Sequence, residues 1–122
     1  MIQEYGFGIF VIDGNRYGHD IKLIGNQVIP WKTRRGHKLN IDDIEDLVAD
    51  QPKILVIGTG ASGILRVGDE FKNFIRLKGI GLVIKKTKEA CQEYNKLIKE
   101  NKKVCAILHG TCWILLIYEE KF

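Results

Sequence analysis

The chain has 122 residues, 45% of them hydrophobic and 28% charged, with a formal net charge of +4 and a pI near 9.0. That length suits a single domain, here 1–122, with room for a core of useful size, and the balance excludes a disordered chain. The mild positive charge permits an anionic partner without demanding one.

Residues 7–12 are rich in β-formers and run straight into Asp13-Gly14, a strong hairpin signal. Residues 16–24 alternate loosely, Gly25-Asn26 makes a second turn, and residues 27–31 form a short extended piece ended by Pro30. The first 31 residues therefore predict two or three antiparallel strands. Residues 32–38, K-T-R-R-G-H-K, form a basic loop. Asn40 is a good N-cap, Asp42 and Asp43 suit a first helical turn, and Ile41, Ile44, Leu47 and Val48 share one helical face. Pro52 ends that helix.

The chain is organised around residues 53–63, K-I-L-V-I-G-T-G-A-S-G. Ile54, Leu55, Val56 and Ile57 form an unbroken apolar run closed by glycines, the pattern of a strand buried on both faces at the centre of a parallel sheet. Asp69 is then expected to cap a short helix carrying Phe71, Phe74 and Ile75, with Gly79 at its end. Residues 81–86 are the next strand. Thr87 is expected to cap the longest helix, whose buried stripe is Ala90, Cys91, Tyr94, Leu97 and Ile98, with Asn101 closing it. Residues 103–108 are a third strand of the parallel kind, followed by His109-Gly110-Thr111-Cys112. Strand–helix–strand crossovers of this length imply parallel neighbours joined right-handedly. Trp113 to Tyr118 are apolar and need a cover, either a further strand position or a second subunit.

Four pieces of the chain resemble the small α/β domain of the adipogenesis-associated Mth-domain family, which is related to a mitochondrial complex I assembly factor. They are Leu55-Val56-Ile57-Gly58-x-Gly60 with Leu65; Gly79-Ile80 with Thr87-x-x-Ala90-x-x-x-Tyr94-Asn95-x-Leu97; Val104 with His109-x-Thr111-Cys112; and Trp31 with His37. The resemblance implies a three-layer α/β fold, with a central mixed, mostly parallel sheet, helices on both sides and an attached N-terminal β-hairpin unit. It implies no settled enzymatic activity. One branch looks like assembly factors for a respiratory complex, and nothing in this sequence looks like a mitochondrial presequence.

Gly58-Thr59-Gly60-Ala61-Ser62-Gly63 matches G-x-G-x-x-G after a strand. A dinucleotide site needs those glycines to open directly into a helix and an acid at the end of the next strand. Here the expected helix starts only at Asp69, and Lys85 and Lys86 stand where the acid belongs, so a tight turn with close backbone packing is favoured. His109 and Cys112 form H-x-x-C, which suits an activated thiol or half of a metal site. Neither set is complete, since only His37 offers a third ligand, and a buried cysteine beside a hydrogen-bonded histidine is the favoured reading. Lys32, Arg34, Arg35, His37 and Lys38, with Lys85, Lys86 and Lys88, frame a positive edge: either a solvated surface or an anion site. Tyr94 and Trp31 read as packing residues, and Asn95, a poor helix former in mid-helix, is expected to bond a neighbouring loop.

The expected function is that of a non-catalytic binding or assembly-type domain. Its working surface would be a basic cleft of Gly58, Gly60, His109, Thr111, Cys112, His37, Arg35 and Lys86. The alternative is a small enzyme or a nucleotide- or cofactor-binding protein using the same cleft. No catalytic, cofactor-binding or metal-ligating residue is assigned. The expected partner is a protein or a small anionic ligand, with Trp113 to Tyr118 available to a second copy. No nucleic-acid motif is present, and no membrane partner is expected. Three cysteines, Cys91, Cys105 and Cys112, fit no disulfide framework and favour a reducing compartment, and the start of the chain has no signal-peptide pattern. The cytoplasm is therefore the expected location.

Overall fold

The computed structural model describes residues 1–6, 8–32 and 36–110. Their first third is more finely divided than the sequence predicts, with five strands before residue 31 in place of two or three. β1 (Ile2–Gly6), β2 (Ile9–Ile12) and β3 (Asn15–Tyr17) form a separate three-stranded antiparallel sheet. Asp13 and Gly14 both take positive φ between β2 and β3, as the two central residues of a tight hairpin must. β4 (Ile21–Ile24) and β5 (Gln27–Pro30) pair antiparallel across the Gly25 turn and leave the first sheet to join a second one.

That second sheet has five strands, in the order β5-β4-β8-β6-β7. Here β6 is Ile54–Thr59, β7 Gly81–Lys85 and β8 Val104–His109. β6 runs parallel to β7 and to β8, whereas β4 runs antiparallel to β5 and to β8. The sheet is mixed as expected, with four strands running one way and β4 alone reversed, because the β4–β5 hairpin docks on β8. β8 is the middle strand, with β6 next to it inside the sheet. The apolar run keeps its expected burial, with Leu55, Val56 and Ile57 at most 1% exposed.

The alternation along these strands divides the core in two. Val56, Val104, Ala106 and Leu108 face one side, where they meet Ala90, Tyr94 and Leu97 of α3 (Thr87–Lys99) and Phe10 and Ile12 of the small sheet. Leu55, Ile57, Cys105 and Ile107 face the other, against Leu47 of α1 (Glu45–Ala49), Phe71 and Ile75 of α2 (Asp69–Leu77), and Trp31. Three layers result, with helices on both faces of the five-stranded sheet.

The helix ends refine the sequence reading. A 3₁₀ turn, Ile41–Ile44, precedes α1, and the Asn40 N–H donates to Asp43 Oδ2 (2.9 Å), the return half of a capping box. Asp43 is fully buried and also accepts from Trp31 Nε1 (3.1 Å), so it ties the hairpin to the helix layer. Asp69 and Thr87 are first helical residues, and the N-cap positions fall to Gly68 and Lys86. Gly79 (φ +73°) and Asn101 (φ +60°) close α2 and α3 in the left-handed conformation. At both ends the next amide reaches back to the last turn, Ile80 N to Ile75 O and Lys102 N to Leu97 O. Asn95 bonds a strand, where a loop was expected: its amide accepts from Ile2 N (2.9 Å) and donates to Ile2 O (2.7 Å), fastening β1 to α3.

Candidate functional site

The carboxyl ends of β6 and β8 lie side by side, with Thr59 opposite His109 in the parallel register. The glycines there follow from crowding. A Cβ on Gly58 would lie 2.8 Å from Thr87 Oγ1 and 2.9 Å from Leu108 Cδ2. Gly60 has φ +100°, and a Cβ on it would lie 2.9 Å from His109 Cδ2. The G-x-G-x-x-G segment leads to no helix before Asp69. Its Gly60 carbonyl instead turns back and accepts from Thr87 N and Gly63 N.

Thr87 joins the two strand ends. Its side chain is fully buried, and its hydroxyl accepts from Gly60 N (2.8 Å) and donates to His109 O (2.6 Å). One hydroxyl thus satisfies a donor on the β6 turn and an acceptor at the end of β8. Its position at the start of α3 suggested a cap, and nothing in the sequence shows this bridging role.

His109 is 2% exposed. Its Nδ1 lies 3.1 Å from both carboxylate oxygens of Asp20, and Asp20 Oδ1 also accepts from Gly110 N (2.7 Å). Asp20 is held in turn by the main chain, its carbonyl accepting from Trp31 N (2.9 Å). The carboxylate fixes the proton on Nδ1 and aims the ring. Nε2 is buried and has no hydrogen-bond partner among the described residues. The His37 ring stands nearest, 6.3 Å away between centroids, on an exposed turn. Asp20 is the residue that sequence reasoning missed, since a lone aspartate after Gly18-His19 carries no motif.

Of the eight residues expected to share a cleft, Gly58, Gly60 and His109 are in direct proximity. His37 stands next to His109, and the Lys86 stem lies by Gly63. Arg35, Thr111 and Cys112 lie outside the described residues, as does the Trp113 to Tyr118 run. Lys38, His37, Lys86 and Lys88 are exposed. A hollow of about 410 Å³ is lined by Lys38, Leu39, Asn40, Gly68 and Phe71, with Asp42, Asp69 and Glu70 also in its lining. Burial pushes the Cys91 thiol up to about 12. Burial, then the Asp50 carboxylate, does the same to Cys105. Both stay protonated near neutrality and are poor nucleophiles. Among the described residues no cluster of three or more His, Cys, Asp or Glu side chains could hold a metal ion.

Residues 2–109 match the family described as protein of unknown function (DUF498/DUF598). The chain belongs to this family. Among relatives of this DUF498/DUF598 chain, a 13 kDa major membrane protein of Francisella tularensis is 30% identical over 114 residues, covering 87% of each sequence. The NADH dehydrogenase [ubiquinone] 1 alpha subcomplex assembly factor 3 of Xenopus tropicalis is 25% identical over 109 residues. That match covers 88% of this chain and 59% of the assembly factor, so the chain spans little more than half of that relative. The crystal structure of a conserved hypothetical protein from Pyrococcus horikoshii superposes with a TM-score of 0.82 at 28% identity, covering 92% of this chain and 99% of the other. The structure named MT938 superposes at 0.78 with 25% identity, over 92% and 98% of the two chains. The resemblance to the Mth-domain family and its assembly-factor branch therefore holds, and so does the α/β fold it implied. One DUF498/DUF598 relative is named a membrane protein, yet among the described residues no helix is long and apolar enough to cross a membrane.

Proposed function

We propose that this chain is a non-catalytic binding module of the assembly-factor type, one domain over 1–122 working in the cytoplasm. It engages its partner where the Gly58–Gly60 turn, the end of β8 and the basic loop meet. The observation that carries this is His109 Nε2, buried and without a partner among the described residues, at the carboxyl end of parallel strands. Ligands of open α/β sheets sit at that end, and a buried polar atom left unmet costs about 1–3 kcal/mol. A guest that meets it recovers that cost. The likeness to assembly factor 3 supports a protein partner. His37, Lys38 and Lys86, with Arg35 from the same loop, support an anionic group on that partner or a small anionic ligand. Thr111 and Cys112 would complete the cleft, and Trp113 to Tyr118 would offer an apolar surface to a partner or a second copy.

Thermal melting in phosphate and in chloride at equal ionic strength tests the anionic part. The melting temperature should rise in phosphate alone, and less so in a His37→Ala, Lys86→Ala double variant. Equal melting in both salts removes the anion site. A second reading, a small enzyme using the same cleft, is favoured by the Asp20–His109 pair, which has the geometry of a base and its orienting carboxylate. It requires a nucleophile, and Cys112 is the cysteine left for the role. An alkylation rate at Cys112 no faster than that of free cysteine removes it.

A further inference from the structure

The chemistry of Asp20 and His109 narrows which anion this site takes. A neutral imidazole has one N–H and one bare nitrogen. The Asp20 carboxylate accepts only, and it lies 3.1 Å from Nδ1 through both oxygens, so the proton sits on Nδ1. In the neutral ring Nε2 is then a bare acceptor, 2% exposed as part of the ring and unpartnered among the described residues. A fully ionised oxyanion brings a second lone pair against it and is repelled. An anion that still carries a proton can place its O–H on that nitrogen while its charge faces the basic rim. Transition-metal ions suit a carboxylate-backed imidazole too, but the residues next to His37, Lys38 in the chain and Arg66 across the bridge to it, are cations.

We propose that the Asp20–His109 pair makes Nε2 a hydrogen-bond acceptor for a protonated phosphate group, as in hydrogen phosphate or the monoanion of a phosphate monoester, and selects it over sulfate or a carboxylate. This deepens the anion-site reading above and rests on it. The exposed His37 ring is the aromatic neighbour of His109, 6.3 Å away between centroids. The ring is held by Asp20 at Nδ1, and Gly60 lies against its Cδ2.

The test is calorimetric titration of the full chain with inorganic phosphate, methyl phosphate, sulfate and acetate at matched ionic strength and neutral pH. Nitrogen-15 spectra of the imidazoles accompany it. In the unliganded protein, His109 should show a protonated Nδ1 and an unprotonated Nε2. Inorganic phosphate should bind about tenfold more tightly than sulfate or acetate and move the Nε2 resonance. Binding of phosphate alone assigns the free anion, and equal binding of methyl phosphate assigns the monoester group. Asp20→Asn keeps an acceptor for Gly110 N but can donate to Nδ1, which puts the proton on Nε2. Phosphate and sulfate should then bind within about twofold of each other. Equal binding of the two anions by the unaltered chain overturns the tautomer selection while the anion site stands. No binding of any anion overturns both. A doubly protonated or Nε2-protonated His109 overturns the selection whether or not the Asn variant folds.

Discussion

The two ends of the parallel strands are built from different materials. At the amino end the chain closes on itself through main-chain bonds: Lys53 N donates to Lys103 O and Gly81 N to Lys53 O, each at 2.8 Å. The Lys53 and Lys103 side chains there are exposed. The Lys103 ammonium meets the main-chain carbonyl and, at 3.9 Å, the carboxylate of Asp50 while remaining half exposed. At the carboxyl end the same strands are joined through the buried Thr87, between Gly60 and His109, and the partly buried Asp20 ties the segment before β4 to His109 and Gly110. Any residue except proline can supply a backbone amide, so the amino end tolerates substitution. A buried hydroxyl, or a carboxylate that meets a buried imidazole, admits few replacements, so the carboxyl end does not. The end that spends its side chains in this way is also the end that leaves one imidazole nitrogen unmet among the described residues.

Substitutions can break or sharpen that contrast. The largest loss is expected from Gly58→Ala, because the new methyl meets Thr87 Oγ1 at 2.8 Å and the less yielding Thr87 Cα at 3.2 Å. About 3 kcal/mol of stability should disappear in urea unfolding. A loss below about 1 kcal/mol would mean that α3 shifts freely, and the crowding argument would fall. Thr87→Val comes next. It keeps the shape but leaves Gly60 N and His109 O without the hydroxyl that serves both, at a cost of about 2 kcal/mol. Amide exchange at Gly60 should accelerate in the same variant, and an unchanged rate would show that the hydroxyl is dispensable. Lys103→Ala at the opposite end should change stability by about 0.5 kcal/mol or less, as for other exposed ion pairs. A loss as large as that of Thr87→Val would erase the distinction between the two ends.

Much of the fold was legible because it follows from local patterns. The run from Ile54 to Ile57 declared a doubly buried strand, Asp13-Gly14 a hairpin, and Gly79 and Asn101 two helix ends, each through the conformational demands of a few adjacent residues. The division of the first third into two sheets was not legible. Which partner β4 chooses is settled by β8, more than eighty residues away. The same limit applies at the site. Gly58, Gly60, His109, His37 and Lys86 could be singled out from local pattern, whereas Asp20 could not.

The sequence by itself determined where the helices and the parallel strands run, because periodicity, glycine and proline act within a few residues of themselves. Only the tertiary structure decided that Thr87 serves as a bridge and that Asp20 backs His109. Those roles arise from groups 22 and 89 positions apart in the chain that meet at the end of β8. Hydrogen bonding there depends on distance and exclusion of water, neither of which a linear pattern contains.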